Sequence, residues 1–192
     1  MGYFFATKQF RGKLALQIFC TLPLVLPPSV TGYYLVLIFG RQGILGQGIY
    51  ALTGWTVMFT WWAAVLASVV VSLPLMIKSA EVAIASVDPV MKQSAYVLGY
   101  SEWETFRHVV LPLAKRGLLA GLVLSFARGL GEFGATLMLA GYIPEQTNTM
   151  PLTIYSLASS GEWDKAHGLV LILTLSSAGL LYLTSRFQRE LL

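Results

Sequence analysis

Four stretches of this chain, residues 14–39, 57–77, 117–140 and 168–185, are apolar almost throughout and are flanked by polar or turn-forming residues. A hydrocarbon layer of about 30 Å takes about 20 such residues as a helix, so each stretch has the length of one crossing. Backbone in lipid must satisfy its own hydrogen bonds, which leaves helices or a closed barrel as spanning structures. Long apolar runs without two-residue alternation exclude the barrel. The expected fold is therefore all-α, a polytopic transmembrane helix bundle in a single domain over residues 1–192. The overall balance agrees: 56% hydrophobic residues, 11% charged residues and a mean hydropathy of +0.68 are too apolar for a soluble domain.

Orientation follows from the basic residues. Lys8, Arg11, Lys13, Lys78, Lys92, Arg107, Lys115, Arg116, Arg186 and Arg189 fall on one side of the four spans, Arg41 and Lys165 on the other, and Arg128 lies within a span. Ten against two places both termini and the segment 78–116 in the cytoplasm. Topology thus accounts for the net charge of +4, and no nucleic-acid partner is needed. Cys20 is the one cysteine and sits in the first span, which offers neither a disulfide framework nor a cysteine metal site. Residues 2–6 are apolar but too short to cross a bilayer, and read as the tail of a preceding helix whose remainder is missing.

Prolines mark the spans that cannot be straight. Pro23, Pro27 and Pro28 fall in the first, where each removes a backbone donor and turns the preceding residue away from helical geometry, so a kinked or broken helix is expected. Broken backbone at membrane depth needs cover from protein or a water-filled cavity, so Pro27 and Pro28 belong either to a transport path or to a packed kink. Pro74 is expected to kink the second span near its cytoplasmic end.

Between the second and third spans lies a polar, helix-compatible segment, 88–112. Asp88 and Pro89 fit an N-cap and first-turn proline. Val90, Met91, Ser94, Ala95 and Leu98 then follow at helical spacing up to Gly99. A second short helix fits Ser101 to Val110, with Ser101 and Glu104 as a capping box and Trp103, Phe106 and Val110 on one stripe, and Pro112 starting the next span. Two short helices meeting at a glycine make a compact knob, with small residues permitting close approach and aromatics available to a partner's pocket. The plainer alternative is a helix resting on the membrane surface.

The third span carries Arg128, Gly129, Gly131, Glu132 and Gly134. A charge in a span is costly and typically faces a bundle interior or a pathway. Arg128 and Glu132 are four apart, lie on one helix face and can neutralise each other. Arg128 is thus either the partner of Glu132 or a ligand for an anion, and the first is preferred because an unpaired buried glutamate is costly. The glycines permit close packing or passage of an ion near the backbone. Their Gly-x-Gly-x-x-Gly spacing lies inside a span, not between strand and helix, and is no nucleotide signal. The outer segment 142–167, with a short helix expected over 152–159, either receives a partner outside the membrane or simply connects two spans.

Gln93-Ser94-Ala95, Gly99, Val109 and Leu111-Pro112 resemble the EAA loop of bacterial ABC-importer permeases, whose form is Glu-Ala-Ala, three residues, Gly, nine residues, Ile-x-Leu-Pro. Spacing matches throughout, with Gln93, Ser94 and Val109 departing from the pattern. Residues 22–28 before Gly32-Tyr33, and 128–135, extend the resemblance over nearly the whole chain to the molybdate-importer permeases of the molybdate and sulfate group. Family members usually have one more N-terminal span. The resemblance implies a type I ABC-importer permease working as a homodimer in the bacterial or archaeal inner membrane, surrounded by lipid, with its C-terminus cytoplasmic. It implies ABC ATPase subunits docked through Gln93, Ser94, Ala95, Gly99, Trp103 and Phe106, and an extracytoplasmic molybdate-binding protein. A path or gate would involve Pro27, Pro28, Arg128, Gly131, Glu132 and Gly134. This chain would bind no cofactor and catalyse nothing, since ATP and Mg belong to the partner ATPase.

Tungstate and sulfate are alternative cargoes, since these tetrahedral dianions differ little in charge and shape. A passive anion channel would leave the knob without a purpose. An intramembrane enzyme would need a nucleophile or metal set beside Arg128 and Glu132, and no such set is present in the sequence.

Overall fold

The computed structural model describes residues 1–189, apart from the side chains at 183, 184 and 186–189. The cytoplasmic placement expected from Arg186 and Arg189 therefore falls on side chains outside the described set. Among the described residues every regular element is helical. A short α1 (Gly2–Thr7) precedes α2 (Lys13–Val25) and α3 (Pro28–Phe39). The apolar stretch 14–39 is not one rod, because α2 and α3 are bent by 117° relative to each other. Pro27 causes this: it holds extended backbone (φ −53°, ψ 137°) as the N-cap of α3, with Pro28 in the first turn, where a missing N–H costs nothing. Pro23, by contrast, is carried inside α2 without ending it.

The outer connection contains α4 (Gly46–Thr53), an element not anticipated from the sequence. A Cβ on Gly46 would lie 1.9 Å from Gly40 O and 2.6 Å from Phe39 O, so only glycine permits this return of the chain. The long α5 (Trp61–Ala85) opens on the Thr60 hydroxyl, which accepts from the Ala63 N–H. Helix continues through Pro74 and past residue 77, so residues 78–85, expected in the cytoplasmic connection, extend the span instead.

After α6 (Pro89–Val97) the chain turns at Gly99 into α7 (Glu102–Thr105), which runs through a π-helical turn (Phe106–Val110) into α8 (Leu111–Leu130). These three pieces form a continuous 29-residue rod. The expected separate helix ending before Pro112 is thereby corrected. In the wider turn Leu111 N–H bonds to the Phe106 carbonyl five residues back, and Pro112 falls in the first turn of α8, so the helix passes through.

The expected third span of 117–140 is also two pieces, α8 and α9 (Gly134–Ala140). Gly129, Gly131 and Gly134 are poor helix formers, and the Glu132 carboxylate takes the Ala135 N–H that a continuous helix would direct to a carbonyl. The described residues close with α10 (Met150–Ser159) and α11 (Trp163–Arg189).

Packing divides into two apolar clusters. One joins α3, α5 and α9 through Leu35, Ala63, Ala67, Val71, Ala135 and Leu139. The other lies at the opposite end of α5, where Ala83, Ile84 and Val87 meet Val110 and Ala114. Between α5 and α8 the contact is set by small residues: a Cβ on Gly121 would fall 2.4 Å from Ser79 Cβ, and one on Gly117 2.6 Å from Ala83 Cβ. Lipid provides no hydrophobic drive between helices, so such close backbone approach carries the association. Leu171, Ile172, Leu175 and Tyr182 of α11 stay exposed, as befits a surface whose solvent is hydrocarbon or another helix.

Candidate functional site

The segment 88–112 forms the expected knob in its first half. Asp88 caps α6, its carboxylate accepting from Val90 N–H at 2.8 Å, with Pro89 in the first turn. Gly99 is left-handed (φ +87°) with nothing within 4 Å of where a Cβ would be. Ser101 and Glu104 form the capping box: Ser101 Oγ accepts from Glu104 N–H, and Ser101 N–H donates to Glu104 Oε2 at 2.8 Å.

The knob's outer surface is apolar. Gln93 and Ser94 are exposed beside Val90, Val97 and Leu98, which together line a shallow groove of about 460 Å³. Trp103 is 67% exposed. Ala95 instead points inward and is buried. Phe106 is only half-exposed, its ring 4.5 Å from that of Tyr3 on α1 and 5.6 Å from that of Trp103. Trp103, Phe106 and Val110 therefore do not present one outward stripe; the π-turn rotates the later two toward α1 and α5. Burial, followed by the neighbouring Glu102 charge, raises the Tyr3 phenol above its ordinary value.

At the other end, the α8–α9 break gathers most of the residues singled out in the membrane. Arg128 Nη1 donates to Glu132 Oε2 at 2.9 Å, and Glu132 Oε1 accepts from Ala135 N–H at 2.9 Å. The Glu132 side chain is 1% exposed and that of Arg128 34%. The carboxylate thus fastens the end of α8 to the start of α9, using charge-assisted bonds in a dry site. Gly134 touches α3: its Cβ would lie 3.0 Å from Pro28 Cβ. Pro28, Gly134, Glu132 and Arg128 are in this way brought into one constellation. Gly131 sits in the connecting turn with space around it, and Pro27 lies on the exposed outer side of the α2–α3 bend.

Glu132 also lines a cavity of about 590 Å³ between α5, α8 and α11. Its wall is mostly apolar but carries the hydroxyls of Ser68, Ser72, Ser125, Thr149 and Ser176. Those of Ser125 and Thr149 are buried and make no hydrogen bond. These hydroxyls were missed in the sequence, although Ser68 and Ser72 stand four apart, and so do Gly121, Ser125 and Gly129, a helical spacing that puts each set on one face.

Residues 1–191 match the family model of binding-protein-dependent transport system inner membrane components. The chain belongs to that family. A relative from Bacillus subtilis, YvgM, is 49% identical over 160 residues, covering 83% of this chain and 70% of the relative. The molybdenum transport system permease protein ModB of Haemophilus influenzae is 39% identical over 196 residues, covering 100% of this chain and 86% of that protein. Among solved structures, the chain resembles a subunit of a bacterial alginate ABC transporter in complex with an alginate pentasaccharide-bound periplasmic protein. The TM-score is 0.76 at 18% identity, over 99% of this chain and 70% of that one. The fold of this inner membrane component is thus that of an ABC-importer permease, a multi-pass membrane subunit of a transport system that works with a binding protein.

Proposed function

We propose that this chain is the permease subunit of an ATP-driven importer that moves molybdate across the cytoplasmic membrane. The observation that carries this reading is the 39% identity, over the whole chain, to the Haemophilus influenzae molybdenum transport permease. Two copies would form the pathway, both termini facing the cytoplasm, with lipid around them. ABC ATPase subunits would bind the knob, where exposed Val97, Leu98 and Trp103 offer an apolar patch framed by Gln93, Ser94 and Gly99. Ala95 and Phe106 would support that surface from within.

ATP and Mg are used by the ATPase partner in this scheme, and the permease contributes a path and a lever. Closure of the ATPases would displace the knob, and the rod from Glu102 to Leu130 would carry that displacement toward the α8–α9 break without an intervening joint. Arg128, Glu132, Pro28 and Gly134 would then act as a structural gate, with Gly131 and Pro27 at its turns. An extracytoplasmic molybdate-binding protein would deliver cargo to the outer segment around α10.

Uptake of labelled molybdate into proteoliposomes holding the permease, ATPase and binding protein tests the reading. ATP-dependent uptake blocked by tungstate but not by sulfate is the expected result. Uptake blocked equally by sulfate moves the cargo to sulfate, and flux that persists without the ATPase makes the chain a channel.

A further inference from the structure

We infer that α1 braces the coupling knob against α5, with Tyr3, Lys8 and Glu102 as positioning residues for the transmission of movement. Lys8 Nζ lies 2.7 Å from Glu102 Oε1 and donates to Oε2 at 2.9 Å, and the Tyr3 hydroxyl donates to Oε1 at 3.2 Å. The Tyr3 ring meets Phe106 edge-on at 4.5 Å. Two side chains, Tyr3 of α1 and Lys8 at its C-cap, therefore hold both α7 and the π-turn behind it.

The other face of α1 is seated on α5. A Cβ on Gly2 would fall 2.5 Å from Ala80 Cβ, and Phe5 is fully buried. Tyr3 and Ala6 pack on the cluster formed by Ala83, Ile84, Val87 and Val110. The brace thus closes a triangle of α5, α1 and α7, whose third side is the α5–α8 seam.

The knob needs such support. Of the nine residues of α6 only Ala95 is buried, and the joint to α7 is a left-handed glycine turn held by local backbone bonds alone, Gly99 N–H to Tyr96 O and Tyr100 N–H to Ala95 O. A push on α6 reaches α7 across the Gly99 turn, and with α1 holding Glu102 and Phe106, α7 moves together with α5 as well as with α8. The Lys8–Glu102 pair is 46% and 50% exposed, so it adds little to folding. Its loss should alter the position of α7 and leave the bundle intact.

This proposal rests on the importer reading, and its test separates the two. Lys8→Glu, Glu102→Lys and the double exchange are compared in the full complex. Each single reversal should lower molybdate taken up per ATP hydrolysed about two- to fivefold at unchanged complex level, and the exchange should restore it. A wild-type ratio in the singles, or no recovery in the exchange, overturns the brace. Hydrogen exchange of the amides of residues 101–106, in the complex held in lipid nanodiscs, requires no transport. It should rise about two- to fivefold in the singles and return in the exchange, and unchanged exchange overturns the brace. If the wild-type complex moves no molybdate, the importer reading falls while the exchange data still judge α1.

Discussion

Replacing Arg128 by alanine strands the Glu132 carboxylate, which is 1% exposed and has the Ala135 N–H as its other donor. Removing one partner of a fully buried pair costs 3–5 kcal/mol. Because the Arg128 side chain is 34% exposed and only Glu132 is fully enclosed, the lower end, about 3 kcal/mol, applies. Glu132→Gln is milder: the amide oxygen keeps the Ala135 bond or accepts from Arg128, so about 2 kcal/mol is expected. The double variant removes both charges and should also cost about 2 kcal/mol, well below the summed singles, because the two act as one unit. The assay is unfolding of the purified chain in mixed micelles with increasing SDS, followed by tryptophan fluorescence, with complex level and uptake measured in parallel. At about 3 kcal/mol the folded-to-unfolded ratio falls about a hundredfold, so Arg128→Ala should lower complex level and uptake together. Normal unfolding and complex level with abolished uptake would refute the reasoning and make Arg128 a ligand for the transported anion. Strict additivity in the double variant would refute the pairing itself.

Gly121→Ala should destabilise the α5–α8 seam by about 1–3 kcal/mol, since its Cβ would meet Ser79 Cβ at 2.4 Å. Gly32→Ala should reach the top of that range because Ala135 Cα, a backbone atom, stands 2.8 Å away; Tm of the purified chain ranks the two. Gly99→Glu meets no neighbour and adds only the left-handed strain of about 1–2 kcal/mol. The permease should therefore accumulate normally yet fail to retain the ATPase on affinity purification, and retention with normal uptake would remove the knob as the docking site. Ser101→Ala deletes the hydroxyl that caps α7, a loss of about 1 kcal/mol, and should speed amide exchange at Glu104 while leaving α8 protected.

Features written in local chemistry were legible in the sequence. The lengths of apolar runs fixed the class, since a bilayer admits only helices of that length. Asp88 with Pro89, Gly99, and Ser101 with Glu104 predicted the caps and turn of the knob, because each bond joins residues within three positions. The Arg128–Glu132 pair was legible for the same reason, four residues being one helical turn. What lay beyond reach depends on contacts between distant residues. Hydropathy sees 14–39 and 117–140 as uniform runs and is blind to the 117° bend and to the Glu132 carboxylate ending a helix. The seating of Gly134 on Pro28, the turning inward of Phe106 onto Tyr3, and the reach of Lys8 to Glu102 across 94 positions exist only once the helices pack. Periodicity assigns a residue to a face of its own helix, whereas only the tertiary structure decides which neighbour that face meets.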